Sequence, residues 1–351
     1  MTKKSFTPIS TLGEFGLIEK LTKNIKTHNS STQKGIGDDA AVLGPLSRSE
    51  QLISTDMLIE GVHFDPTYTP LKHLGYKSVV VNISDICAMN GQATHILVSL
   101  GIPNKYSVEH MEDLYEGIKL ACKNYNIDLI GGDTTSSSTG LVISVSIFGK
   151  AKKQSITYRK GAKANDLLLV SGKLGAAYLG LQILEREKAI FKKNENSQPL
   201  LDKYEHVLEK QLKPEPRTDI VTLLRELKIK PSSMIDLSDG LSSEALHICN
   251  SSNVGAKIFE SKIPISKESK IVSDEFQINP TICALHGGED YELLITISQA
   301  DYEKIKGNSS LTPIGHITSD RNIYLVRDSG EEINLLKEGW DSFLNKNGQN
   351  I

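Results

Sequence analysis

Acidic residues meet glycine, serine or asparagine at six places in this sequence: 35–42 (GIGDDAAV), 54–56 (STD), 82–85 (NISD), 131–135 (GGDTT), 236–242 (DLSDGLS) and 287–292 (GGEDYE). Each alone has a plain explanation. Aspartate after glycine is common in turns, and Ser238 or Asp239 before a helix reads as an N-cap. Asp85 is different. With Ser78 and Asn82 it forms a polar stripe at i, i+4, i+7 on a helix that otherwise carries Val79, Val80, Val81 and Ile86. A charge on a buried helix is costly unless it is paired or binds a cation. Taken together, short carboxylates flanked by Gly, Ser and Thr suit hard, oxygen-seeking cations, and magnesium in particular bridges carboxylates to substrate phosphates. The glycines let backbone approach those phosphates closely. No lysine cluster accompanies the acids, so metal ions rather than ammonium groups are expected to neutralise the substrate charge.

The common nucleotide motifs are missing. The Gly-Lys pairs at 149–150 and 172–173 are followed by Ala151 and Leu174, not by the Ser or Thr of a phosphate-binding loop. Neither the HRD nor the DFG signature of protein kinases is present.

The elements that must position these residues alternate between helix and strand. An amphipathic helix is expected over 11–27, short strands at 40–43 and 52–55, and a long, largely buried helix over 71–89. A strand at 94–100, a helix at 107–125 with Ser107 as N-cap, and strands at 127–130 and 141–148 follow. The basic stretch 150–166 reads as a junction, which gives two domains, 1–150 and 151–351. In the second, strands are expected at 167–170, 234–237, 292–297, 313–317 and 323–326, with helices at 176–187 and 238–250. Two more helices are broken by Lys213-Pro214-Glu215-Pro216, and 191–198 reads as a surface loop. The fold class is mixed α/β in both halves.

The 351 residues allow two domains of ordinary size, each with its own core. A net charge of −3 argues against nucleic acid as the main partner. Cys87, Cys122, Cys249 and Cys283 are far apart and form no CxxC pair, so reduced, buried thiols are expected rather than a zinc site or disulfide framework. No apolar run approaches a membrane span, and no secretory segment is visible near Met1. A soluble, cytoplasmic protein is expected.

Nine segments now fall into a recognisable order: GEFGLIEKL (13–21), GIGDDAAV (35–42), STDMLIEGVHF (54–64), VNISDICAMNG (81–91), LIGGDTTSS (129–137), KPEPR (213–217), IDLSDGLSSE (235–244), GGEDYELLITI (287–297) and GWDSF (339–343). In this order the chain resembles the thiamine-monophosphate kinase family, within the aminoimidazole ribonucleotide synthetase-like (PurM-like) superfamily. The resemblance implies a two-domain fold whose N-terminal halves form a β-barrel across a homodimer interface, with a C-terminal α/β domain. It implies ATP as co-substrate, several Mg²⁺ ions, and phosphoryl transfer from ATP to thiamine monophosphate. Carried over by motif, Asp39, Asp56, Asp85, Asp133, Asp236 and Asp239 are the implied metal ligands, helped by Ser54 and Thr55, with Asp39, Asp85 and Asp239 central to catalysis. Gly132, Asp133, Arg159 and Ser238 are implied to touch ATP, and His63, Glu289 and Trp340 to hold thiamine monophosphate. Other members of the superfamily fit less well. A selenophosphate synthetase would carry a reactive Cys near its N-terminus, whereas the first here is Cys87. A hydrogenase-maturation member would end in a cysteine-bearing tail, whereas this sequence ends in Asn350-Ile351. A non-catalytic sensor would need no complete carboxylate set.

Overall fold

The computed structural model describes residues 32–34, 37–46, 49–194 and 201–335, together with residue 16. The expected helix over 11–27 and Trp340 lie outside the described residues, apart from Gly16, which is helical. The chain runs β1 (Thr32–Lys34), β2 (Ala41–Leu46), β3 (Ser49–Ile59), α1 (Leu71–Ala88), β4 (Gln92–Ile102), α2 (Val108–Tyr125), β5 (Asp128–Ser136) and β6 (Val142–Ala151). It continues with β7 (Leu167–Ser171), α3 (Ala176–Lys193), α4 (Glu205–Leu212), α5 (Thr218–Glu226), β8 (Ser233–Asp236), α6 (Leu241–Ser252), β9 (Gly255–Phe259), α7 (Lys267–Glu275) and α8 (Pro280–His286). The last elements are β10 (Leu293–Ile297), α9 (Tyr302–Ile305), β11 (Leu311–Thr318), β12 (Ile323–Val326) and β13 (Glu332–Asn334).

Two sheets result. The first has strand order β1-β2-β3-β6-β4-β5, and the second β13-β12-β9-β11-β7-β10-β8. The strands β7, β10 and β8 of the second sheet are buried on both faces. Along β10, Leu293, Ile295 and Ile297 join the large core that includes α1, while Leu294 joins a separate core beneath α6. This is the period-2 alternation of a strand with two apolar environments.

Helix α1 sits at the centre. Fourteen of its eighteen residues are buried, which explains why its sequence shows no polar face. It packs on β3, β4 and β6 of the first sheet and on β8, α4 and α5 beyond it. Its contact with α2 is made backbone to backbone. A Cβ on Gly75 would stand 1.9 Å from the Leu114 carbonyl oxygen, and one on Gly117 would stand 1.9 Å from that of Lys72.

Two acidic segments lie inside strands where strand ends were expected. Ser54-Thr55-Asp56 falls in the middle of β3, because β3 pairs with β6 without interruption from Glu50↔Ala151 to Ile59↔Val142. Gly131-Gly132-Asp133 lies within β5, paired in parallel with β4. Gly132 is needed there, since a Cβ would come within 1.7 Å of the Val98 carbonyl oxygen. Helix α6 begins at Leu241, after a three-residue turn at 238–240.

Candidate active site

Alternation along β3 sorts its polar residues. Leu52 and Leu58 are buried, and Ser54 and Asp56 share their face, toward α1. Thr55 takes the other face, where its Oγ1 donates to the Val145 carbonyl at 3.1 Å and lies 3.1 Å from Ser146 Oγ. Helix α1 answers from above. Asn82 fixes the strand by accepting the Asp56 N–H at 3.1 Å, while its own amide donates to the Ser78 carbonyl at 3.0 Å. One turn on, Asp85 Oδ2 accepts from Ser54 Oγ at 2.5 Å, and Ser84 Oγ donates to Asp236 Oδ2 at 2.7 Å. Asp236 arrives at the end of β8, and Asp39 just ahead of β2.

Asp39, Asp85 and Asp236 thus present carboxylate oxygens that all lie within 4.8 Å of one another. Burial, then Asp56, then Asp236, push Asp85 well above the usual carboxylate range. Burial and, next, Asp39 push Asp236 up to about 8. Among the described residues one cation meets this charge directly: Arg159, on the connector between the sheets, grips Asp39 with Nη2 to Oδ1 at 2.8 Å and Nε to Oδ2 at 3.1 Å. Burial works against the guanidinium charge, but Asp39, with Asp38 and Asp236, more than offsets it and the Arg159 pKa is raised. Its backbone N–H donates to Asp38 Oδ1 at 3.2 Å. Asp38 is nonetheless pushed up to about 6, by burial first and by Asp39 second.

Several hard oxygen donors, crowded together and underpaid by protein cations, fit a divalent metal of the magnesium kind. Asp39, Asp85 and Asp236 would hold such an ion, with Asp56 close enough to raise Asp85.

The Gly-Gly-Glu-Asp-Tyr-Glu segment closes the other side. Glu289 (φ 59°) and Tyr291 (φ 49°) both sit in the left-handed region, uncommon for non-glycine residues. The strain is held by backbone bonds from Glu289 N to the Ser238 carbonyl at 2.7 Å and from Tyr291 N to the Leu237 carbonyl at 2.9 Å. Between them, buried Asp290 turns inward and accepts the Gly175 N–H at 2.7 Å, at the start of α3. Glu292 is buried too. It accepts from Ser171 Oγ at 2.6 Å and pairs with Arg217.

The structure therefore brings Asp39, Ser54, Asp56, Asp85, Asp236 and Arg159 together. Asp239 stands near them, close enough to help raise the buried Tyr291 hydroxyl and the Glu244 carboxyl. Ser238 supplies the carbonyl that fixes Glu289. Thr55 is on the far face of the first sheet. Gly132 and Asp133 lie on β5, the exposed edge strand, in a surface groove that they share with Tyr115 and Ile130. His63 stands beyond β3, where its Nδ1 accepts the Ile59 N–H at 3.1 Å, leaving Nε2 as donor in the neutral ring. Sequence reasoning held Asp38, Ser84, Glu244 and Tyr291 within its motifs but gave them no role of their own, and it missed Lys77. For Lys77 there was a signal: a lysine in the same apolar helix that made Asp85 conspicuous.

The fold and site define the class first. Residues 37–151 match the family described as AIR synthase related protein, N-terminal domain. Similarity to individual proteins runs much further. The chain is 34% identical over 340 residues to the thiamine-monophosphate kinase of Bacillus subtilis, spanning 95% of this chain and 100% of that protein. It is 37% identical over 338 residues to the one from Buchnera aphidicola subsp. Schizaphis graminum, spanning 94% and 99%. The solved structure described as AaThiL complexed with AMPPCP and TMP matches with a TM-score of 0.81 at 32% identity, covering 96% of this chain and 99% of that one. The chain belongs to the thiamine-monophosphate kinase family, and is a phosphotransferase with the PurM-like α/β fold.

Proposed function

We propose that this chain binds ATP and thiamine monophosphate and transfers the terminal phosphoryl group of ATP directly to the substrate phosphate, giving thiamine diphosphate and ADP. The observation that carries this reading is the gathering of Asp39, Asp85 and Asp236, from three separate parts of the sequence, within 4.8 Å. Asp56, Asp239 and Ser54 complete the set. When bound there, Mg²⁺ supplies the positive charge that lets two polyanions approach. The chain's own residues do the rest. Arg159 and the Ser238 turn orient ATP, together with Gly132 and Asp133. His63 helps to hold the substrate, Glu289 faces its cationic or amino-bearing heterocycle, and Trp340 stacks on it. The acceptor phosphate is already ionised at neutral pH, so no strong general base is required, and the task is positioning and charge neutralisation.

The finer architecture belongs to the same reading. The halves 1–150 and 151–351 act as two domains, each built on one sheet. The first closes a β-barrel with a second copy in a homodimer. Support comes from β5, exposed along its whole length with Leu129 and Ile130 uncovered. A cytoplasmic setting fits the four free, buried cysteines. Among the described residues no helix is long and apolar enough to cross a membrane.

A coupled ADP-release assay with ATP, Mg²⁺ and thiamine monophosphate, with free thiamine as control, tests the reaction. Thiamine diphosphate should form from the monophosphate alone, with inversion at the transferred phosphorus. Retention would replace direct transfer by a phosphoenzyme. No turnover by folded, magnesium-loaded protein would remove the substrate assignment.

A further inference from the structure

Lys77 is a buried lysine in the middle of α1. Its Nζ donates to Glu289 Oε2 at 2.9 Å and to the Gln211 carbonyl at 2.9 Å. From α4, Gln211 Nε2 donates to the same Oε2 at 2.8 Å. Two donors from two helices therefore meet on one oxygen of Glu289. The other oxygen, Oε1, lies 3.4 Å from the Tyr291 hydroxyl. The backbone allows the carboxylate little freedom: Glu289 is held at φ 59°, and Gly288 before it passes so close to Ser238 that a Cβ would sit 2.6 Å from that carbonyl oxygen. Burying an ammonium group is costly unless its charge is met. Here it is met by an acid whose side chain remains part exposed. A staple between α1 and this turn would be better built from apolar contact, which carries no desolvation cost.

We propose that Lys77, assisted by Gln211, is a positioning residue for substrate recognition. It pins Glu289 through Oε2 as an anion and reserves Oε1 for a cationic or N–H-donating heterocycle on the phosphate acceptor. The specificity acid is thus assembled from both sheets' surroundings, with α1 supplying the cation and the 287–292 turn supplying the carboxylate. Lys77 itself touches no substrate atom. This inference rests on the assignment of Glu289 to thiamine monophosphate made above.

Steady-state kinetics on Lys77→Met, Glu289→Gln and the double variant separate the two claims. Lys77→Met should raise the KM for thiamine monophosphate about tenfold, the size of one lost charge-assisted hydrogen bond. The KM for ATP and kcat should stay within about twofold. In the Glu289→Gln background, adding Lys77→Met should raise that KM no further, because the group it acts through is already neutral. Gln211→Leu, which leaves α1 untouched, should shift the same constant in the same direction by less. It keeps the test available should the Lys77 variant fold poorly. An additive effect of Lys77→Met on both backgrounds would overturn the inference, as would a parallel rise in the KM for ATP or no change at all. If Glu289→Gln alone leaves the KM for thiamine monophosphate unchanged, the assignment of Glu289 falls and the inference with it. A damaging Glu289→Gln with an additive Lys77→Met removes only the role of Lys77.

Discussion

Two groups of acids lie close together in this protein, and they differ in how their charge is met. In the 287–292 turn each carboxylate has its own donors: Lys77 and Gln211 for Glu289, the Gly175 N–H for Asp290, Ser171 and Arg217 for Glu292. In the Asp39–Asp85–Asp236 group Ser54 and Ser84 donate to Asp85 and Asp236, but the acids also face one another, and the Arg159 side chain grips Asp39. The sheets are built equally well around both. The contrast is between acids that protein donors hold one by one, Glu289 for a substrate and Glu292 for the fold, and acids crowded together in a state that the protein alone leaves unfavourable.

The sharpest way to break this comparison is to neutralise one acid of each kind. Asp85→Asn or Asp239→Asn should lower kcat on the order of 10²–10³-fold or more, while the metal-free melting temperature falls no lower than that of the parent. Near-normal turnover in either variant would dissolve the metal-site assignment. Glu292→Ala should do the opposite and cost about 1–3 kcal/mol of stability, because it removes the buried acceptor of Ser171 and leaves Arg217 to Asp219 alone. Denaturant unfolding reads that loss, and an unchanged midpoint would show that Glu292 is not structural.

A pH series without metal sharpens the same point. Asp85, Asp236 (about 8), Asp290 (about 7) and Asp38 (about 6) all have raised pKa values in the fold. Between the ordinary carboxylate range and these values the folded state binds more protons than the unfolded chain, so stability falls as pH rises. The melting temperature of metal-free protein should therefore be several degrees higher at about pH 5.5 than at about pH 8.5. Millimolar Mg²⁺ should remove most of that difference by stabilising the ionised Asp85 and Asp236. A metal-free melting temperature that rises with pH would contradict the crowding of these carboxylates. The smallest effect is expected at Thr55, which is next to Asp56 in sequence but on the opposite face of β3. Thr55→Val should change kcat/KM by less than about twofold, and a larger loss would bring the outer face of the sheet into the site.

Much of this was legible in the sequence. Asp85 announced itself by standing in an apolar helix, and the alternation of elements gave the α/β class. What could not be read was long-range pairing. Ser54 and Asp85 are 31 positions apart, and Lys77 and Glu289 are 212 apart; only the packed fold joins them. Glycine misled locally. Gly131-Gly132 looked like a strand end, whereas the close approach to Val98 makes glycine necessary within the strand. Nor could the sequence rank Glu289, Asp290 and Glu292, since their division of labour depends on which donors the fold brings to each.

Helix α1 carries one further consequence. It is the shared wall of two sheets, buried against β3, β4 and β6 on one side and against β8, α4 and α5 on the other. Neither sheet can melt while leaving the other's interior dry. The two halves should therefore unfold as one cooperative unit, with a single calorimetric peak, and the amides of α1 should be among the last to exchange with deuterium.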